Sequence, residues 1–346
     1  MSAAFLMWTA LLAFQPGDPC ASGAQAAAAR DLQAAAELLS KCVQSPAAPL
    51  EAFLMLCGVH QAQRNEAALF ATAREGMRRF PEDRRFYLTA GVQAARAKQY
   101  REAVEILEAG HRRWRDDEKL RSLLASAWFA RGTEFLDAGN NEEAADALQR
   151  STALVPDDPE AHLNLGRAWH NLHRFEKALA AFDRVLEIRP ATPLARFHRG
   201  LALYSLGEFD RAIADLDAEI ASGGGYPPAY LVRGLSRLSR GNAEDAVRDL
   251  DLAAARMPDS AAAQVSFARA LMRLDRLPEA EARLRRAIEL DAGDPATWNM
   301  LISVLNRSGR SDEARALAPK AAELARKSRS AKPGEIRFED AGRSGR

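Results

Sequence analysis

With 346 residues, 47% hydrophobic and 27% charged, the chain is long enough for two or three ordinary domains, and its composition excludes a disordered protein. A net charge of +1 excludes polyanion binding spread over the whole chain, so a basic partner surface has to be local. Three cysteines, Cys20, Cys42 and Cys57, fit no metal-ligand spacing, and their odd number leaves one thiol over if the others bond.

The first element is the apolar run AAFLMWTALLAF, residues 3–14, too short to cross a bilayer and of the length of a secretory signal core. No Lys or Arg precedes it, and the alternative is an apolar helix packed on the first repeat. Export would place the protein in the periplasm or outside the cell; otherwise it is cytoplasmic. No transmembrane span is expected.

From residue 16 a period of 34 organises the chain. Gly166, Gly200 and Gly234 recur at that step inside strongly helical patterns, where each glycine costs about 1 kcal/mol relative to alanine. With Gly166 as position 8, units begin at 16, 50, 84, 125, 159, 193, 227, 261 and 295. Position 20 is alanine in every unit except the second, where it is Leu69. Gly139, Gly207, Gly241 and Gly309 recur at position 15, and Pro81, Pro156, Pro190 and Pro258 at position 32. Apolar residues follow helical spacing in two stretches per unit, split at position 15, so each unit reads as a helical hairpin, helix A then helix B. Pro159, Pro193, Pro227 and Pro295 are expected to open A helices, and Pro278 a B helix. Glycine at position 8 is expected to face alanine at position 20, letting the two backbones approach closely.

An insertion, TEFLDAG at 133–139, is close to two helical turns and can lengthen helix A of the fourth unit without rotating its buried face. Arg199 and Arg233 stand at the usually apolar position 7 and Asp215 and Asp249 at position 23, which predicts ion pairs across two hairpins. SGGGY at 222–226 lacks the Lys-Ser/Thr of a phosphate loop and reads as a flexible junction. Pro319 is expected to interrupt the last B helix, in a capping unit with Ala318 at the bulky position 24. The polar tail 329–346 has too little apolar content to fold alone.

These columns resemble the tetratricopeptide repeat family, and the unit at 159, with Leu165, Gly166, Trp169, Ala178, Phe182 and Pro190, matches its pattern well. The resemblance covers about 16–328, and with the Ala/Arg-rich composition it suggests a bacterial protein. It implies an all-α, right-handed superhelical solenoid of nine antiparallel helix hairpins. It further implies a non-catalytic interaction scaffold with no cofactor, holding a protein or peptide partner on a groove lined by A helices. Carrying over the family's ligand-facing positions gives Leu163, Arg167 and His170, then Phe197, Leu201 and Tyr204, then Leu231, Leu235 and Leu238, then Val265, Arg269 and Met272. This strip is apolar and bordered by cations; packing between neighbouring A helices competes for part of it.

In the same register Cys20 and Cys42 fall near the open ends of one hairpin, so a disulfide is geometrically reasonable and would agree with an oxidising compartment. Cys57, at position 8, reads as a small buried residue. Arg78, Arg79, Arg84, Arg85, Arg112, Arg113 and Arg115 cluster near the ends of B helices. Their default role is to meet exposed carbonyls and helix dipoles. A basic ridge for nucleic acid is the lesser reading, and self-association of the solenoid is another. His170 and His173 lack the further ligands of a metal site, and no nucleophile-base arrangement stands out.

Overall fold

The computed structural model describes residues 18–330. The signal-like segment 1–15 and the tail from 331 lie outside the described residues. Eighteen α-helices follow one another in nine hairpins, with no strand among the described residues. They are α1 (Pro19–Ala28) and α2 (Leu32–Cys42), α3 (Leu50–Ala62) and α4 (Glu66–Arg79), α5 (Arg84–Arg96) and α6 (Tyr100–Arg113), and α7 (Glu118–Asp137) and α8 (Asn141–Leu154). Then come α9 (Pro159–Asn171) and α10 (Phe175–Ile188), α11 (Ala195–Ser205) and α12 (Phe209–Glu219), α13 (Pro227–Ser239) and α14 (Ala243–Arg256), α15 (Ala261–Arg273) and α16 (Leu277–Leu290), and α17 (Pro295–Arg307) and α18 (Ser311–Ser330). The described residues divide within α9 into two compact units, 18–168 and 169–330.

Local sequence sets the helix ends. Asp31, Asn65, Asp83, Asp117, Ser260 and Asp294 each accept hydrogen bonds from otherwise unpaired N–H groups of the first turn. At the A-to-B turn, position 15 is left-handed in all nine hairpins. Glycine fills four of these sites, with φ 77–89°, and Arg30, Arg64, Lys98, His173 and Asp275 fill five, with φ 56–62°. The turn geometry is therefore invariant while the residue is not.

Packing within hairpins follows the glycine column, with one revision. A Cβ on Gly91 would lie 2.5 Å from Leu107, on Gly132 2.6 Å from Leu148, and on Gly234 2.7 Å from Leu250. The close neighbour is thus the position-24 leucine, because side chains lean toward their helix N-terminus and the leucine reaches back over the glycine. Position-20 alanines are also buried, and at Gly200 the Ala212 carbonyl lies 3.4 Å from the added Cβ. The second hairpin solves the same problem differently. Leu69 is 4% exposed at position 20, and Ala73 at position 24 is fully buried, so the bulky residue has moved one helical turn and Cys57 fills position 8.

In the unit 18–168, the core runs through Leu39, Phe53, Leu56, Phe86, Leu107 and Leu120, with Phe53, Phe80 and Phe86 in mutual ring contact. α7 is a single 20-residue helix. Gly110 meets Leu120 at one end of it, with the offset by which Gly76 meets Phe86 one repeat earlier, and Gly132 meets Leu148 at the other. The seven additional residues lie between these two contacts, ahead of Gly132, and not at TEFLDAG 133–139 as expected from the sequence: Gly132 to Gly139 keeps the ordinary spacing from position 8 to the left-handed position 15, and the buried phase is kept on both sides. Cys20 and Cys42 join α1 to α2, with Cα atoms 5.0 Å apart.

In the unit 169–330, Leu250, Leu271, Leu284, Leu301 and Leu305 form one core, and Phe197, Leu216, Ala229 and Val232 another. The expected Arg–Asp pairs are present, and each extends to the preceding hairpin. Arg199 donates from Nε and Nη2 to Asp215, at 2.7 and 2.6 Å, and from Nη1 to Asp183 at 2.8 Å. Arg233 repeats this with Asp249 and Asp217, and Arg237 adds a second donor to Asp249.

Three local expectations need correction. Pro193 does not open α11, which starts at Ala195 after Leu194 in a left-handed conformation, φ 61°. Buried Thr192 bonds back to the Arg189 carbonyl, and Leu194 packs on the Phe197 core, which holds the chain out of helix until Ala195. Pro319 does not interrupt α18. It sits on the exposed side of the helix, where the carbonyl it leaves unpaired is open to water. SGGGY is entered by a π-helical turn, Ile220–Gly224, with Gly223 and Gly225 left-handed; buried Glu219 precedes it at a position held elsewhere by Gly76, Gly110, Ala253 and Ala287.

Candidate partner-binding surface

A helices of successive hairpins touch one another, α11 with α13 and α13 with α15, so their remaining faces form one wall in the unit 169–330. Helical spacing puts positions 5, 9 and 12 on that side. Phe197 and Leu231, however, are only 6% and 8% exposed. Phe197 packs edge-on to Tyr226 at 4.8 Å, and Leu231 belongs to the larger core. These two side chains are therefore taken up by packing between hairpins, whereas Leu163 and Val265 at the same position 5 are half-buried. Leu201, Tyr204, Leu235, Leu238, Val265 and Met272 are half-buried. Arg269 is exposed.

The wall hollows near its end into a recess of about 410 Å³, lined by Leu238, Ser239, Arg269, Met272, Arg273, Met300 and Arg307. Leu238, Arg269 and Met272 belong to the strip expected from the sequence. Arg273 and Arg307 occupy position 13 and Met300 position 6, and which of these faces a recess depends on how neighbouring hairpins are offset. Arg307 donates to the Met272 carbonyl at 3.1 Å and to Asp275 at 2.7 Å.

The first residues of the strip do not line the recess. Leu163 is half-buried, and Arg167 donates to Asn164 within α9 at 3.0 Å. His170 lies 5.2 Å from the Phe175 ring, with its Nε2 3.5 Å from the Ser205 hydroxyl. Burial, with a smaller contribution from His173, lowers its pKa from 6.5 to about 4, so it is neutral at physiological pH. No group of three or more His, Cys, Asp or Glu that could hold a metal occurs among the described residues.

Most of the basic cluster is engaged. Arg78 and Arg79 share Glu75, Arg84 pairs with Asp117, Arg85 with Asp83, and Arg113 with Glu82. Arg79, Arg112 and Arg113 also donate to the carbonyls of Ser45, Glu108 and Pro81. These arginines close helix ends and inter-repeat loops, and their charge is largely matched by carboxylates. Cys57 is buried, and burial pushes its thiol up to about 12. Among the described residues no helix is long and apolar enough to cross a membrane.

Family models described as tetratricopeptide repeat match residues 129–193, 165–233 and 237–305. No curated protein matches the chain. Among solved structures, the APC/C hetero-tetramer Cut9–Hcn1 is 14% identical, covers 98% of this chain and 66% of its own, and superposes with a TM-score of 0.52. The pilF protein of Pseudomonas aeruginosa is 16% identical over 64% of this chain and 97% of its own, with a TM-score of 0.50. A MamA RS-1 double mutant is 24% identical over 49% of this chain and 94% of its own, with a TM-score of 0.44. At these identities the first two likenesses concern the fold alone.

Proposed function

Because the chain belongs to the tetratricopeptide repeat family, a family of protein-interaction scaffolds, we propose that it binds a segment of a partner protein along the A-helix wall of its second unit. The observation that carries this is the half-buried apolar row Leu201, Tyr204, Leu235, Leu238 and Met272 ending in an open, arginine-lined recess. Such a surface suits a chain segment that buries a few apolar anchors and keeps its polar groups wet. The protein acts by holding its partner and carries out no catalysis.

A photo-crosslinking amino acid at Leu201 or Leu235 is expected to capture one common partner from the native cell. The same probe at Leu252, which is 43% exposed on helix B of the α13–α14 hairpin, is expected to capture none. Equal capture from Leu252, or none from the wall, would remove the proposal.

Bonding of Cys20 to Cys42 belongs to the same reading, since it supports residence in an oxidising compartment. Alkylation of the unreduced, denatured protein is then expected to label Cys57 alone, and labelling of all three cysteines would contradict it.

A further inference from the structure

We infer that the recess at the end of the wall selects an extended, acidic segment of the partner, with two carboxylate side chains two residues apart beside an apolar residue. The inference rests on the A-helix wall being the binding face and adds the chemistry of the segment held there.

In this unit most arginines are engaged: Arg199, Arg211, Arg233, Arg240, Arg276 and Arg310 each hold one or two carboxylates, while Arg174 stands over Trp169 and Arg196 and Arg256 donate to backbone carbonyls. Arg269 and Arg273 have no ion pair or hydrogen bond among the described residues, and both are exposed at the recess. Arg273, in the last turn of α15, is favoured there by the helix dipole. Arg269 lies a turn earlier, and the dipole gives no reason for it. Arg307, the third cation, is tied to Asp275 and to the Met272 carbonyl, which fixes one side of the recess. The rim thus presents three cations against one carboxylate.

Spacing narrows the ligand. Residues four apart on a helix are neighbours, about 5–6 Å between Cβ atoms. In an extended strand, residues two apart point the same way and are separated by roughly 6.5 Å. Two acidic side chains at that interval can each meet one guanidinium, whereas a single chain-terminal carboxylate would satisfy only one of the two. Between the cations the lining is Leu238, Met272 and Met300, all half-buried on the larger core. Methionine accommodates apolar groups of varied shape, so Leu, Met or Phe next to the acidic pair fits.

The test is selection of a random twelve-residue peptide library, displayed without a free C-terminus, on the full chain. Enrichment of two acidic residues two apart next to Leu, Met or Phe is expected. The enriched peptide, acetylated and amidated, should bind at least tenfold more tightly by fluorescence anisotropy than its Glu→Gln, Asp→Asn analogue, and more weakly as salt rises. In the Arg269→Gln, Arg273→Gln double variant that preference should vanish. Both side chains are exposed and unpaired, so an unchanged helical spectrum and melting temperature are expected to show that folding is intact.

Enriched peptides without the acidic pair, no enrichment at all, or an unchanged preference in the double variant would overturn the inference. So would a marked gain on exposing a free C-terminal carboxylate in place of the acidic side chains. Crosslinking through Leu201 and Leu235 distinguishes the failures: capture there without an acidic preference sinks only this inference, and loss of both sinks the wall itself.

Discussion

His170 shows how burial acts on one titratable group. Its pKa near 4 lies below the ordinary value of 6.5, so the unfolded chain takes up a proton before the folded one does. Its contribution is complete above the unfolded value and is lost as pH falls from about 6.5 toward 4, amounting to roughly 2–3 kcal/mol at the acid end. Between pH 6.5 and 5 the melting temperature should fall, and His170→Gln should remove part of that fall. An identical pH dependence in the variant would show that His170 is not the responsible group. Arg199, by contrast, keeps its charge across this range: hydrogen bonds to Asp215 and Asp183 raise its pKa despite burial. Burial opposes protonation of Arg233, and its bonds to Asp249 and Asp217 outweigh it. Arg131 occupies the same position 7 without an aspartate and stands over Trp128 and Phe135 instead, 5.5 and 5.3 Å from the ring centroids. A cation at this site is accommodated either by carboxylates or by aromatic faces.

At the scale of the helix and its turn, the left-handed position 15 gives a direct prediction. A non-glycine residue there costs of order 1 kcal/mol relative to glycine. Arg64 and Lys98 adopt φ of 56° and 58°, and neither side chain makes a hydrogen bond or ion pair among the described residues. Arg64→Gly with Lys98→Gly should raise the melting temperature by a few degrees in a thermal scan; a decrease would mean that those side chains contribute contacts worth more than the strain. The same columns show how far the sequence can be read. The period, the glycines and the prolines are legible because each answers a constraint inside one hairpin: a close approach, a reversal of direction, a first turn without a donor. Asp183 and Asp217, Arg273 and Met300 are not, since their roles depend on the offset between hairpins, which no single-hairpin pattern encodes. For the same reason the sequence pattern does not reveal that Phe197 and Leu231 are buried in packing between hairpins. Leu194 is hidden differently: a left-handed leucine has no sequence signature, and Pro193 beside it reads as a helix start.

For the molecule as a chain of modules, the hairpins within each unit pack chiefly on their neighbours in sequence, so stability should be a sum of local parts rather than one cooperative whole. The Cys20–Cys42 bond closes only the first hairpin, with a separation of 22 residues. Reduction should therefore speed hydrogen exchange in α1 and α2 and leave α13 to α18 unchanged; loss of protection throughout would refute modular stability. α7 adds a constraint of another kind. Its two extra turns separate the site where it receives α6 from the site where it receives α8 by about 10 Å along its axis. Within the unit 18–168, the hairpin of α7 and α8 is therefore seated one storey away from those before it. A ligand strand tracking the earlier A helices would come to a ledge at α7, which divides that face into two berths and sets the length of chain that the first can hold.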